Sequence, residues 1–197
     1  MPKPSNREAI LIKGMQVMHE RGFNGATVRD IVRAAGVPQG SFTNHFASKE
    51  AFALEALDLY YLRACKRVRE TIRNETLSPL QRIRAYFDAL KEFFSQCGPQ
   101  YGCLYGNFAI EASDQSEAIR KRMVEIFDEL KGHLTSCLKA AAKAGELTHS
   151  IKPDELANFI IAGLQGAILV GKSRRNLVPL EEFERVLFSL IEGRPGK

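Results

Sequence analysis

Apolar residues recur at intervals of three and four along almost the whole chain. Nowhere do they alternate singly for long enough to make a strand. Ile10, Met15, Val17 and Met18 set this spacing early, and Leu54, Leu57, Tyr61 and Leu62 repeat it. A period near 3.6 places such residues on one face of a helix, so the chain is expected to be all-α. Cap and breaker residues divide the pattern into about nine helices.

The first helix is expected from near Asn6 to Arg21, with Gly22 in the left-handed conformation that closes a helix. Thr27-Val28-Arg29-Asp30 reads as a variant capping box opening helix two, and Gly36 ends it. Pro38 opens a short helix three that stops near His45-Phe46. Ser48 caps a long helix four, expected to reach about Asn74. Ser78-Pro79 starts helix five, to about Cys97, and Gly98-Pro99-Gln100-Tyr101-Gly102 is a breaker cluster. A short helix six (about 104–112) and a long helix seven (about Gln115 to Ala144) follow, and Gly145 closes the latter. Pro153 opens helix eight, to about Lys172, and Pro179 opens helix nine, to about Glu192.

Composition narrows the function classes. At 45% hydrophobic and 26% charged, the 197 residues are too apolar for a disordered chain. Asn158 and Gln165 interrupt the greasiest stretch, Leu156 to Gly171, so no membrane span is expected. The polar start, Met1-Pro2-Lys3-Pro4-Ser5-Asn6, does not read as a signal peptide, and a cytoplasmic protein is expected. Cys65, Cys97, Cys103 and Cys137 are irregularly spaced, the four histidines are scattered, and neither a metal site nor a cofactor is expected. The formal charge is +5, and it is unevenly placed. Residues 1–73 carry 12 Lys/Arg against 7 Asp/Glu, whereas residues 74–197 carry 16 of each. A local excess of this kind suits a polyanion.

Helices two and three lie in that basic third and are joined by a few residues containing Gly36, as in a helix-turn-helix. In that motif the second helix enters the major groove. Ile31, Ala35, Val37, Phe42 and Phe46 can pack the pair onto helix one, which leaves Gln39, Ser41, Thr43, Asn44 and His45 as a polar set. Gln and Asn pair two-pronged with adenine, and Ser and Thr are versatile. Thr27 and Ser48 at helix starts, with Arg29 and Lys49, suit phosphate.

The wording of this segment is more specific than its pattern. Arg21-Gly22-Phe23, Ala26-Thr27-Val28-Arg29-Asp30-Ile31 and Ala34 through Glu50 resemble the DNA-binding domain of the TetR/AcrR family of transcriptional repressors, over about residues 5–65. The usual run Gly-Val-x-x-Gly-x-x-Tyr-x-x-Phe-x-x-Lys-x-x-Leu is matched at Gly36, Val37, Gly40, Phe46 and Lys49. It departs at Thr43, where the family most often has Tyr, and at Phe52, where Leu is common. Thr43 is too short for the phosphate or thymine contact of that Tyr, so the contact passes to Asn44 or His45 or is lost. The resemblance implies a helix-turn-helix domain at 1–47, an effector-binding and dimerisation domain at 48–197, and DNA contacts from Thr27, Arg29, Gln39, Ser41, Thr43, Asn44, His45 and Lys49. It also implies a homodimer on a palindromic double-stranded operator, paired through the last two helices. Phe159, Gly163, Ala167, Phe183, Leu187 and Leu190 are the expected interface residues, and the same stripes also fit the core of a single chain.

Phe87, Leu90, Phe94, Tyr101, Cys103, Tyr105, Phe108 and Phe127 can line an effector pocket on helices five to seven or form plain core. The stretch from Gly102-Cys103-Leu104 to Ile119-Arg120 resembles a branch of the family that includes an electrophile- and oxidant-sensing repressor of N-ethylmaleimide reductase. Cys103 precedes a helix, where the dipole favours thiolate, so it reads as a sensor thiol or as a buried inert one. The expected function is a repressor released from its operator by a small-molecule or thiol-reactive effector. The rival readings are a thiol-dependent all-α enzyme, which lacks a readable His or carboxylate partner for Cys103, and a helical ligand-binding protein that does not touch DNA.

Overall fold

A computed structural model describes residues 5–148 and 151–192. Among the described residues there are nine α-helices and no strand: α1 (Asn6–Gly25), α2 (Val28–Ala35), α3 (Gly40–Thr43), α4 (Lys49–Glu70), α5 (Pro79–Cys97), α6 (Leu104–Glu111), α7 (Glu117–Lys143), α8 (Pro153–Arg174) and α9 (Val178–Glu192). A 3-10 turn, Pro99–Tyr101, sits in the breaker cluster between α5 and α6. The helices fall into two compact units, each discontinuous in sequence. One holds residues 1–63 and 103–125, and the other holds 64–102 and 126–197. Both α4 and α7 therefore contribute residues to each unit.

In the first unit α1 packs against α2, α3 and α6. Ile10, Met15 and Met18 of α1, Ile31 of α2, and Phe52 and Leu57 of α4 are almost wholly buried. Each such side chain stabilises by roughly 1.5–3 kcal/mol relative to exposure. Gly14 lets α1 come close, because a β-carbon there would lie 2.5 Å from both Ile31 Cγ2 and Phe52 Cζ. The start of α2 forms as its sequence predicts. The Thr27 side chain accepts from the Asp30 amide at 3.1 Å, and the Asp30 carboxylate accepts from the Thr27 amide at 3.2 Å. Gly36, with φ 68° and ψ 31°, ends α2 in the left-handed region.

Gly22 departs from expectation. Its φ is positive at 77°, but its ψ of 174° lies outside the left-handed helical region, and helix resumes beyond it to Gly25. That combination is essentially open to glycine alone. The Glu111 carboxylate also fills the space a β-carbon would need. Helix α3 is shorter than predicted, at four residues, although Gln39 and Asn44 on either side keep helical torsions. Its first turn is closed by tight bonds, Ser41 N to Pro38 O at 3.0 Å and Phe42 N to Gln39 O at 3.2 Å. Helix α4 stops at Glu70, four residues early, because Arg73 N reaches back to Val68 O and Asn74 N to Thr71 O in a closing turn.

In the second unit Leu80, Ile83, Phe87 and Leu90 bury one face of α5. On α9, Leu180, Leu187, Phe188 and Ile191 do the same. The Phe87 ring lies 6.0 Å from Phe183 and 6.1 Å from Phe188. Salt bridges of 2.7 Å, Lys91 to Glu184 and Arg84 to Glu192, join α5 to α9. Helix α8 pairs with α9. By length and composition alone, α8 is long and apolar enough to cross a membrane, which the reading of Asn158 and Gln165 as interruptions did not anticipate. Two polar residues in a helix poor in charge do not lower its mean hydropathy enough. A core helix passes the same test, and Leu156, Ile160 and Leu164 are buried inside this chain.

Candidate nucleic-acid interface and effector region

Helix α3 and the turn after it are held by three rings. Phe42 of α3 and Phe46, three residues beyond its end, meet Phe52 of α4 with centroids 4.9–5.5 Å apart, and all three are at most 3% exposed. Edge-on and tilted ring pairs add about 0.5–1.5 kcal/mol each beyond area burial. Phe52 thus places a ring in the cluster at the position where the resemblance expects a Leu. Arg7 covers the outer side of the cluster, its guanidinium 5.2 Å from the Phe46 centroid, and pairs with Glu55 at 2.5 Å.

With the apolar residues turned inward, the polar set faces out. Gln39, Thr43, Asn44 and His45 are exposed, as are Thr27 and Arg29 on α2, while Ser41 and Lys49 are half-buried. The Thr43 hydroxyl donates to Gly40 O at 3.1 Å, so it is partly spent on its own turn. Thr27 is occupied twice, as acceptor from the Asp30 amide and as donor to its carboxylate at 2.6 Å. Donation to the carboxylate from the Thr27 hydroxyl and from the Thr27 amide, with Arg21 2.9 Å away, holds the Asp30 carboxyl below the usual carboxylate range. Lys49 lies 4.7 Å from the centroid of the Phe23 ring. Burial lowers its pKa, and the charge of Glu111 opposes that shift. Arg33, exposed and one turn beyond Arg29 on α2, was missed by the sequence reading. Its i,i+4 spacing from Arg29 was the available signal, since both then project from one helix face.

Helix α6 buttresses this unit. The Glu111 carboxylate accepts from the Asn24 amide at 3.0 Å, and Asn24 Nδ2 donates to Glu111 O at 3.3 Å. The start of α7 adds two more ties to α4: Ser116 Oγ donates to the Glu50 carboxylate, and Arg122 pairs with Asp58 at 2.7 Å. Nothing in residues 1–65 alone signals these partners.

The effector candidates divide between the two units. Phe87, Leu90, Phe94, Tyr101 and Phe127 belong to one, and Cys103, Tyr105 and Phe108 to the other. Phe87 is packed among the α9 rings, and Phe94 borders a small apolar crevice with Pro99, Ile168 and Leu180. Tyr105 and Phe108 are buried, Tyr105 edge-on to Tyr60 at 4.9 Å and Phe108 to Phe23 at 5.7 Å. Tyr101 and Phe127 are half-buried. Cys103 is the N-cap of α6 and only 7% exposed. None of the four cysteines is joined in a disulfide among the described residues. Burial pushes the Cys137 thiol up to about 11.

Of the expected interface residues, Leu187 is 1% exposed and Ala167 9% within the single chain, and Gly163 is filled by the Phe183 ring of the same chain. Phe159 and Leu190 are each 52% exposed.

Residues 10–56 match the model of bacterial regulatory proteins of the tetR family, and residues 79–187 match the tetracyclin repressor-like C-terminal domain. The chain is 37% identical over 191 residues to the HTH-type transcriptional repressor DhaR of Mycobacterium sp. (strain GP1), covering 97% of this chain and 94% of that protein. It is 32% identical to the HTH-type transcriptional repressor NemR of Escherichia coli, covering 89% of this chain and 88% of that protein. The crystal structure of the reduced form of E. coli NemR superposes with a TM-score of 0.84, over 94% of this chain and 96% of that one. A TetR regulatory protein from Rhodobacter sphaeroides, 26% identical, superposes with a TM-score of 0.89, over 94% and 98%. Both rival readings, the thiol enzyme and the ligand-binding protein that ignores DNA, therefore fall away. The chain belongs to the TetR family of helix-turn-helix, DNA-binding transcriptional repressors.

Proposed function

We propose that this chain acts in the cytoplasm as a homodimeric repressor, seated on a palindromic operator and released by a small-molecule or thiol-reactive effector. The observation that carries the DNA reading is the division of labour on α3. Its rings point inward, while Gln39, Thr43, Asn44 and His45 stand exposed beside Arg29 and Arg33. Gln39, Asn44 and His45 read base edges; Thr27, Arg29, Ser41, Thr43 and Lys49 hold the backbone in register. A two-fold dimer would set two such units in successive major grooves, about 34–36 Å apart.

Support for the dimer comes from the apolar face that the single chain leaves open. Phe159, Leu169 and Val170 of α8, and Val186 and Leu190 of α9, are 43–52% exposed. Gly166, on the same side of α8, has nothing within 4 Å of where a β-carbon would stand. Two copies of this pair make a four-helix contact, and sedimentation should give twice the chain mass.

Anisotropy of labelled duplex from the region upstream of the gene tests the function. Log affinity should fall linearly with log salt, with a slope near −0.9 for each phosphate neutralised. A flat response overturns the DNA assignment for these residues. On the effector side, Cys103 at the start of α6 is the thiol proposed to respond, together with the aromatic residues of α5–α7. N-ethylmaleimide should weaken operator binding in the parent and leave Cys103→Ser unaffected. An equal response in both would remove Cys103 from the mechanism.

A further inference from the structure

A cleft of about 590 Å³ opens in the second unit, lined by Ile72, Arg73, Glu75, Arg82, His133, Ser136, Cys137 and Ala140. None of these residues belongs to the aromatic set on α5–α7 considered above. His133, Ser136, Cys137 and Ala140 fall at i, i+3, i+4 and i+7, so one face of α7 makes a wall. Arg73 comes from the turn after α4, and Arg82 from the first turns of α5. The volume is that of a small-molecule site.

The chemistry of the walls is uneven. Neither Arg73 nor Arg82 forms an ion pair among the described residues. Arg73 donates to His133 Nδ1 at 3.3 Å, and Arg82 Nε donates to Leu77 O at 2.9 Å. Elsewhere in the same unit Arg84 and Lys91 each hold a carboxylate at 2.7 Å. Because guanidinium only donates, His133 must accept at Nδ1 and keep its proton on Nε2. Burial, and then the charge of Arg73, lower the His133 pKa, while Glu129 opposes them. The ring is thus a neutral donor beside two cations. Ser136 donates to Gly132 O at 2.9 Å, and Cys137 to Pro79 O at 3.3 Å, so neither offers a spare proton. Glu146, near Cys137, is held by the Leu80 amide at 2.7 Å. Arg73 and Arg82 are the cations of the lining and Glu75 its one carboxylate, while Glu129 and Glu146 act on His133 and Cys137 from outside the lining. Ile72 and Ala140 supply an apolar side.

We propose that this cleft binds a small organic monoanion, a carboxylate on a compact apolar body, with Arg73 and Arg82 on the carboxylate and Ile72 and Ala140 on the body. It is a second ligand site, separate from the Cys103 region, and it does not rest on the effector proposal. Titration calorimetry with benzoate, phenyl phosphate and benzamide at constant ionic strength tests it on the full-length protein. Benzoate should bind saturably at one site per chain. Phenyl phosphate, a dianion beside Glu75, should bind more weakly, and benzamide should not bind. Arg73→Gln with Arg82→Gln should weaken benzoate at least tenfold, since a hydrogen bond to a charged group is at stake at each position. Operator affinity of that variant should match the parent, and its thermal unfolding should stay cooperative with only a small drop in midpoint, since each arginine gives up one hydrogen bond and no ion pair. Cys103→Ser should bind benzoate as the parent does. Benzamide binding as well as benzoate, no saturable benzoate binding, or a double variant that folds and binds unchanged would each overturn the proposal.

Discussion

Two of the aromatic clusters of this chain are built alike and constrain function differently. In the first unit Phe42, Phe46 and Phe52 bind a four-residue helix to the start of α4, and Gln39, Thr43, Asn44 and His45 on and around it are left exposed, with Ser41 half-buried. In the second unit Phe87, Phe183 and Phe188 join long helices already stabilised by their own length and by salt bridges. A helix of four residues cannot hold itself, since nucleation costs more than so few hydrogen bonds return. Its side chains therefore divide sharply into buried anchors and exposed polar residues, and the division is visible in sequence. A helix of 19 or 27 residues needs no such division, and its aromatic residues can be core or pocket with the same spacing.

The largest test of this contrast is Phe52→Ala. Losing the shared ring of the first cluster should cost about 3–5 kcal/mol of stability, read by denaturant unfolding, and should abolish operator binding. If operator affinity survives while stability falls, α3 does not depend on the cluster. Next comes Gly22→Ala, which puts a β-carbon at a glycine-only torsion and into the Glu111 carboxylate; a loss of about 1–3 kcal/mol is expected. Glu111→Ala should cost less stability yet weaken operator binding severalfold at constant salt slope, since this residue positions the α1–α2 joint without touching phosphate.

Asn44→Ala and Gln39→Ala should each remove about 1–3 kcal/mol of base discrimination and leave stability within about 0.5 kcal/mol, as expected for readers and not anchors. Arg33→Gln should reduce the salt slope by about one and leave base preference intact. Thr27→Ala should cost about 1 kcal/mol as a lost cap. The smallest effect concerns pH. Asp30 has its carboxyl lowered on folding, so its contribution is present above the unfolded value of 3.8 and is lost as pH falls through the lower folded value. Asp30→Asn should flatten that part of the acid unfolding curve. In the second unit, Cys137 should be nearly inert to alkylation at pH 7, with about one thiol in ten thousand ionised, so any fast-reacting thiol is another one.

The start of α2, its glycine stop and the Ser78 cap of α5 were legible because each depends on residues within four positions of one another. The kink at Gly22 was half legible. A positive φ is a local property of glycine, but the ψ that lets helix resume is accompanied by a carboxylate 89 residues away. The early stop of α4 and the 3-10 turn at Pro99–Tyr101 were hidden because several closing turns fit the same residues.

By itself, then, the sequence determined an all-α chain, a basic helix-turn-helix with its buried anchors and exposed polar set, and its membership of a regulator family. Short-range periodicity, capping and charge carry those, and all act between near neighbours. Tertiary structure decided which residues share a unit: that α6 and the start of α7 belong with the DNA-binding helices, that Gly163 is filled by Phe183 of its own chain, and that Arg73, Arg82 and His133 face one cleft. Those pairings span 9 to about 90 positions. Many chain paths satisfy the same local rules, and only the packed three-dimensional arrangement selects among them.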